Sequence, residues 1–192
     1  MLARLTVLFL AMSSFTTLSR TASSPIRHET VELRGWIIDD KVSAVSRVLQ
    51  DKSVASITIK IDSPGGAVDP ARKLVNEVKT AIQSGKSVEC EVFSQASSGA
   101  FWLLQACSIR TSHVGSRFMT HEPMSLGCGA ISIGMAGRLY ADLLRDNDDM
   151  AETIAPRLGM TKLDYMVKIA TGPWRMDSAE ALAAHAIDRV VF

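Results

Sequence analysis

Residues 56–66 read SITIKIDSPGG, in which a strand pattern runs directly into a turn pattern. β-Branched and polar residues alternate as far as Asp62, as is typical of a β-strand with one buried face. Ser-Pro-Gly-Gly at 63–66 then ends the strand. Residues 69–84 follow with apolar side chains at helical spacing. The strand, the turn and the helix together predict an α/β fold.

The same unit recurs on both sides of this segment. Residues 31–38 predict a strand, after which Asp39 or Asp40 offers an N-cap for a helix that ends near residue 50. Residues 88–93 and 97–106 predict a third strand and a third helix. Because repeated βα units pair their strands in parallel, we expect a mostly parallel sheet covered by helices.

Shorter elements complete the prediction. They are a strand at 116–120, a Gly-rich loop or flexible strand at 127–137, a long helix at 138–157, helices at 162–170 and 178–185, and a last strand at 189–192. Pro156 indicates that the long helix ends slightly before it.

Composition indicates one globular domain. The chain has 192 residues, of which 47% are apolar, and this is enough for a sizeable core. Its 21 Lys and Arg residues balance 20 Asp and Glu residues, so a nucleic-acid partner is not expected. The sequence has no clustered Cys or His spacing, so neither a metal site nor a cofactor is expected.

Residues 1–24 are typical of a targeting leader that precedes a domain at 30–192. Arg4 is followed by an apolar run at 5–12 and then by Ser and Thr residues, as in a secretory signal peptide. An organelle transit peptide and an uncleaved start are the alternatives. We therefore expect a periplasmic or secreted protein, with an organellar or cytoplasmic location as the alternative.

The three cysteines allow two interpretations. In an exported protein, Cys90 and Cys107 are the pair expected to form a disulfide, because both flank the helix at 97–106. Three buried free thiols, Cys128 included, are the alternative that we prefer on sequence grounds.

Three polar segments are candidates for chemistry. Residues 97–99, Ser-Ser-Gly, open a helix directly after a strand, where free N–H groups favour a nucleophile and an anion. The paired glycines Gly65 and Gly66 allow the backbone to approach a substrate closely. His121 ends a predicted strand and supplies a base. Taken singly, each segment has a structural alternative, namely a Ser N-cap, a tight turn and a structural histidine.

Taken together, the three segments resemble the Clp protease proteolytic subunit family in order and spacing. Residues 61–66 are similar to its strand-end Ser-Pro-Gly-Gly segment, and residues 117–123 are similar to its catalytic-histidine segment. Residues 95–101 are similar to its nucleophile segment, although they are one residue shorter before the serine. Residues 178–181 and 187–188 are similar to its closing helix and strand.

The resemblance covers residues 31–192 and implies a Clp/crotonase-like spiral of βα units with a mostly parallel sheet. It implies a serine endopeptidase that cleaves unfolded or short peptides through an acyl-enzyme. It also implies a homo-oligomer in which residues 138–156 form a protruding handle helix between stacked rings. Residues 127–137 would form a strand beside the cleft, and an extended peptide substrate would pair with that strand.

Roles follow from the resemblance residue by residue. Ser97 is assigned as the nucleophile, because the family serine stands two residues before the glycine that matches Gly99. Ser98 is the local alternative. His121 is assigned as the general base, and the backbone N–H groups of Gly66 and Ser98 are assigned as oxyanion donors.

The third member of the family's triad has no counterpart. The family has an aspartate shortly before the closing helix, where this sequence has Pro173 or Trp174. Asp177 and Asp164 are the nearby carboxylates that could replace it, although Asp177 also suits the N-cap of the last helix. A backbone carbonyl or a water molecule is the remaining way to orient His121.

Two departures from the family bear on partners and activity. The family's amino-terminal segment, which lies near docking ATPases, is replaced here by the leader-like stretch, so regulation by an AAA+ unfoldase is not expected. The missing aspartate leaves a catalytically impaired interaction protein as an alternative. An acyl-CoA enzyme of the crotonase superfamily is a second alternative, because it would use backbone N–H donors on the same fold.

Overall fold

A computed structural model describes residues 27–125 and 129–192. Strands and helices alternate along the described chain in the order β1 Arg27–Arg34, α1 Asp39–Gln50, β2 Val54–Ser63, α2 Val68–Gln83, β3 Ser87–Ser97, α3 Gly99–Ala106, β4 Ile109–His113, β5 Arg117–Thr120, α4 Ile133–Ile154, α5 Lys162–Ala170, β6 Trp174–Asp177, α6 Ser178–Ala183 and β7 Arg189–Val191. A 3-10 turn, Ala155–Leu158, follows α4 and contains Pro156. The predicted leader at 1–24 lies outside the described residues.

The described strands form one sheet, in which β1, β2, β3, β4 and β7 are neighbours in that order. Every one of these pairings is parallel. The carboxyl end of β3 also pairs in parallel with β5, and β5 pairs with β6 as an antiparallel edge. The expected mostly parallel α/β sheet is therefore confirmed.

The hydrophobic core lies between the sheet and helices α1 to α3. Ile57, Ile59 and Ile61 alternate along β2 and are fully buried, as the period-two pattern predicts. Leu74 and Val78 of α2 belong to the same core. Helix α3, which follows the two adjacent serines, is apolar on all sides and is buried along most of its length.

Two helix starts differ from the sequence prediction. Ile38 is the N-cap of α1, while Asp39 and Asp40 lie in its first turn, where carboxylates interact favourably with the helix dipole. Helix α4 begins at Ile133, five residues before the predicted start, because the Ser132 side chain accepts a hydrogen bond from the Met135 N–H. Part of the segment expected to bind peptide as a strand is therefore helical.

Two short strands were not predicted. Strand β4 lies between β3 and β7, and Asp188 joins it to the chain end by accepting hydrogen bonds from the Arg110 backbone N–H at 2.8 Å and from its guanidinium. Strand β6 follows the Gly172-Pro173 turn and pairs with β5. Strands of four or five residues carry too little periodicity for a sequence pattern to detect.

Cys90 and Cys107 are joined by a disulfide, with their Cα atoms 5.8 Å apart. The bond links the middle of β3 to the residue that ends α3, so the preference for three free thiols is wrong for this pair. Cys128 lies outside the described residues. Across residues 27–125 and 129–192, no helix is both long and apolar enough to cross a bilayer, and no group of three or more metal-binding side chains is found.

Candidate active site

The three polar segments meet at one edge of the sheet. Strand β2 ends at Ser63, β3 ends at Ser97 and β5 ends at Thr120, and the ends of these strands are neighbours through the pairs Ser63 with Ala96 and Ser97 with Met119. Because the strands are parallel, the residues that follow them emerge on the same side. Gly66, Ser98 and His121 consequently all line one cavity of about 290 Å³.

Ser98 has an unusual backbone conformation at the junction between β3 and α3. Its φ and ψ angles are 56° and −122°, which few residues other than glycine adopt. It occupies the N-cap position of α3, yet its hydroxyl makes no capping hydrogen bond. The backbone N–H of Ser98 donates to the Met119 carbonyl oxygen at 2.7 Å, which fixes the turn against β5. The assignment of this N–H as an oxyanion donor is therefore wrong, because it already has a partner. The alternative of an ordinary Ser N-cap therefore does not describe this residue.

Ser97 lies on the other side of the sheet edge. It is the last residue of β3 and lines a separate cavity of about 430 Å³ together with Arg117, Arg175 and Asp177. Successive residues of a strand point to opposite faces, so adjacent serines are separated in this way. The structure therefore does not bring Ser97 and His121 to one cavity, whereas it does bring Ser98 and His121 to one cavity.

The imidazole of His121 is held by the backbone of the next residue. Its Nδ1 lies 2.5 Å from the Glu122 carbonyl oxygen. Since a carbonyl oxygen only accepts, Nδ1 carries the proton and Nε2 is left as the basic nitrogen. In the described part of the chain, neither the Ser97 nor the Ser98 hydroxyl is hydrogen-bonded to this ring.

The paired glycines bring the backbone after β2 close to the serine turn. Gly65 has a φ of 99°, and a Cβ added to it would lie 2.6 Å from the Ser97 carbonyl oxygen and 2.7 Å from the Ser98 Cβ. A Cβ on Gly66 would overlap the backbone of Ile37. Each position therefore requires glycine because another backbone segment occupies the space of the side chain.

Two backbone N–H groups near Ser98 are available as donors. Gly66 and Ile37 form a parallel bridge, in which the Ile37 N–H donates to the Gly65 carbonyl oxygen and the Ala67 N–H donates to the Ile37 carbonyl oxygen. The N–H of Gly66 itself therefore points away from Ile37. Gly99 is the first residue of α3, where a backbone N–H has no partner within the helix. Among the described residues, neither N–H donates a hydrogen bond, and a Cβ on Gly99 would lie 3.8 Å from the Gly66 nitrogen.

Both carboxylates proposed to complete a triad make hydrogen bonds at the start of a helix. Asp177 accepts a hydrogen bond from the Glu180 N–H at 2.9 Å and forms a capping box with it at the start of α6. Asp164 accepts from the Thr161 hydroxyl at 2.7 Å in the first turn of α5. Neither lines the cavity that contains Ser98. Pro173 and His121 line a neighbouring cavity together.

The walls of the cavity include residues that the sequence analysis did not single out. Trp36, Val68, Trp102 and Met150 make most of its surface apolar. Trp102 lies four residues after Ser98, so helical spacing could have indicated it. No sequence signal points to Met150, which reaches the cavity from the long helix α4.

Arg72 connects α2 and α4 beside this cavity. Its guanidinium donates to Asp149 at 3.0 Å and to Asp146, and it lies 5.8 Å from the Trp102 ring centre. These two carboxylates of α4 therefore hold that helix against the wall of the cavity.

A buried hydroxyl pair supports the strand that carries His121. Thr120 and Tyr165 are fully buried, and their hydroxyl oxygens are 2.5 Å apart. Burial raises the pKa of Tyr165 to about 12, although the hydrogen bond with Thr120 opposes this shift. The hydrogen bond holds Thr120, the residue directly before His121, against helix α5.

The comparisons with known proteins concern the family and the fold of the chain. A family model described as Clp protease matches residues 26–192. No curated protein matches the chain. Among solved structures, a ClpP1 point mutant from Listeria monocytogenes matches with a TM-score of 0.73 and 19% identity over 84% of this chain and 90% of that chain, which shows the shared fold. Because the family model spans nearly all of the sequence, the chain belongs to the Clp protease family.

Proposed function

We propose that this chain is a serine endopeptidase in which Ser98, rather than Ser97, is the nucleophile and His121 is the general base. The observation that carries the proposal is the conformation of Ser98 at a strand-to-helix turn, on the cavity that His121 also lines. Other serine hydrolases hold the nucleophile on a sharp, strained turn of this kind, because the turn exposes the hydroxyl. Membership of the Clp protease family supports the same reaction class.

In this mechanism the Ser98 hydroxyl attacks the carbonyl carbon of the scissile peptide bond and His121 Nε2 takes its proton. The N–H groups of Gly66 and Gly99 donate to the oxyanion of the tetrahedral intermediate. Removing one such donor typically costs about 10²- to 10³-fold in rate. His121 then returns the proton to the leaving amine, and water hydrolyses the acyl-enzyme by the reverse steps.

The Glu122 carbonyl oxygen takes the place of the triad aspartate. It keeps the proton on Nδ1, which is the tautomer that the base needs. A neutral dipole stabilises the imidazolium less than a carboxylate does, so we expect a slower enzyme than one with a complete triad. Catalytic hydrogen bonds are often long in unliganded enzymes, so the bond between Ser98 and His121 is expected to form with substrate bound.

The apolar walls of the cavity support a peptide substrate whose acyl-side residue is apolar. Trp36, Trp102 and Met150 would surround that side chain. Burying a large apolar side chain contributes about 1.5–3 kcal/mol to binding.

The test is labelling of the purified protein with a fluorophosphonate probe. We expect Ser98→Ala to abolish labelling and Ser97→Ala to retain it, with His121→Ala reducing it strongly. The reverse result for the two serine variants would assign Ser97. A wild-type protein that does not react would favour the interaction protein, and binding of a CoA thioester would favour the crotonase-type enzyme.

A homo-oligomer is part of the proposal. The first part of α4 is exposed and carries apolar side chains, among them Ile133, Tyr140 and Leu144, which are 94%, 66% and 48% exposed. Exposed apolar patches of this kind mark interaction surfaces. We expect light scattering to show an assembly larger than a monomer and Leu144→Arg to reduce its size.

Export is a further part of the proposal and rests on the leader-like residues 1–24. N-terminal sequencing of the protein from an export-competent host should find cleavage within or just after this segment. An intact start would contradict it.

A further inference from the structure

The cavity that contains Ser98 continues past the imidazole. A second cavity, of about 360 Å³, shares Met119, His121, Pro123 and Met124 with the first. Ser98 and Gly66 line the first cavity but not the second, whereas Pro173 and Arg175 line the second but not the first. The two cavities together form one cleft with His121 at its centre.

The chemistry proposed above assigns a direction to this cleft. The acyl group stays on Ser98 beside the N–H donors, while His121 passes its proton to the leaving amine. The part of the substrate that follows the scissile bond therefore lies on the side of the imidazole away from Ser98. The second cavity is on that side.

Arg175 is the cation of the second cavity. It lies on β6 opposite Met119 of β5, and its side chain is exposed. In the described ranges, its guanidinium makes no ion pair and no hydrogen bond. The second cavity is lined mainly by apolar side chains, among them Met119 and Ile169, with Glu122 as its carboxylate. On its other side, Arg175 borders the cavity that contains Ser97, which Asp177 and Glu180 also line.

A guanidinium without a partner, on an apolar cavity, has a specific ligand preference. Its planar donors match a carboxylate with two parallel hydrogen bonds. Because Arg175 is exposed, water screens the attraction, and a modest preference is expected.

We propose that Arg175 binds a carboxylate on the leaving-group side of the substrate. The carboxylate is either an Asp or Glu side chain directly after the scissile bond or the free carboxyl terminus of a short substrate. The inference rests on the proposed peptidase function and adds to it the substrate class that the enzyme prefers.

Paired substrates test the inference. One pair of quenched peptides has Glu or Gln after the scissile bond, and a second pair has a free or an amidated carboxyl terminus one residue after it. We expect wild type to favour the carboxylate member of one pair by about tenfold in kcat/KM. The pair that shows the preference identifies the source of the carboxylate.

The variants separate Arg175 from its surroundings. Arg175→Gln should reduce the preference to within about twofold, while it leaves cleavage of the neutral peptides unchanged. Arg117→Gln is the matched control, because Arg117 faces the same way on the sheet but lines only the cavity that contains Ser97. Glu122→Gln should increase the preference, since it removes the repelling charge. A preference that persists in Arg175→Gln, or that is absent from wild type, overturns the inference.

A binding measurement keeps this test separate from the test of the peptidase function. Calorimetry with Ser98→Ala and peptides that represent the leaving-group half should show about tenfold weaker binding when Arg175→Gln is added. Equal binding contradicts the role of Arg175 whether or not the chain is a peptidase. Loss of cleavage in Ser98→Ala with Arg175-dependent binding intact supports both proposals.

Discussion

The His121 imidazole is hydrogen-bonded through Nδ1 to the carbonyl oxygen of Glu122, the next residue in the chain. The contact is made by the backbone, so it does not depend on the side chain at position 122. In the proposed mechanism this contact orients the base, because Pro173 or Trp174 stands at the place where the resemblance puts the family's aspartate.

The first prediction concerns the two candidate acids. Asp177→Asn and Asp164→Asn should each keep kcat/KM within about twofold of wild type, because neither carboxylate lines the cavity that contains Ser98. Asp177 caps α6, where asparagine also caps well, and Asp164 accepts a hydrogen bond from the Thr161 hydroxyl. His121→Gln should lose about 10³-fold on the same peptide. A comparable loss in a folded Asp177→Asn variant would show that this carboxylate orients the base.

The second prediction concerns the close contact between the paired-glycine turn and the serine turn. Gly65→Ala should reduce kcat/KM by about 10²-fold or more, because the new Cβ displaces Ser98 and the donors beside it. Gly85→Ala is the matched control, since Gly85 also has a positive φ but has no atom within 4 Å of an added Cβ. That variant should cost only about 1 kcal/mol of strain and keep full activity. Equal activity in the two variants would show that the contact is unimportant.

The third prediction concerns the ion pair between Arg110 of β4 and Asp188, which directly precedes β7. The Arg110 side chain is 6% exposed and donates to Asp188, which is 40% exposed. Asp188→Asn should lower the free energy of unfolding by about 2 kcal/mol, because a buried guanidinium loses its counter-charge. Asp142→Asn, which breaks the exposed pair with Arg145, should cost less than about 0.5 kcal/mol.

The same pair predicts a dependence on pH. Burial opposes ionisation of Asp188, but the hydrogen bonds and charge of Arg110 outweigh it and hold the pKa of this carboxyl below its usual value. Because the pKa of this carboxyl is lower in the folded state, its ionisation stabilises the fold at every pH above the pKa of the unfolded state. That stabilisation is lost as the pH falls through the pKa of the folded state. The difference between wild type and Asp188→Asn in urea denaturation should therefore shrink below about pH 4. A constant difference down to pH 2 would contradict this explanation.

The fourth prediction concerns the buried hydroxyl pair below His121. Because burial raises the pKa of Tyr165 to about 12, the folded state keeps the proton after the unfolded state has lost it. Stability should therefore fall as the pH rises from about 10 to about 12. Tyr165→Phe should abolish the loss of stability between about pH 10 and about pH 12 that this tyrosine causes. At pH 7 it should lower the free energy of unfolding by about 1 kcal/mol. Tyr140→Phe, which removes an exposed hydroxyl, should keep the wild-type profile in the same denaturation series.

Much of the fold was predictable from local patterns. Helix α5 was predicted at its observed ends, and the helix after Ser-Pro-Gly-Gly was predicted to within one residue at each end. These elements combine strong periodicity with clear start and stop signals. Strands β4 and β6 were missed because they are short and form only through pairing with β3 and β5.

The sequence by itself identified the α/β class, the three segments of the site and His121 as the candidate base, since each of these depends on residue types at short spacing. It assigned Ser97 as the nucleophile, with Ser98 as the alternative, and offered only Asp177 and Asp164 as candidate acids. Tertiary structure decided which serine shares a cavity with the imidazole. A shift of one residue moves a strand side chain to the opposite face, and the register of β3 against β5, together with the close approach of Gly65, determines that face.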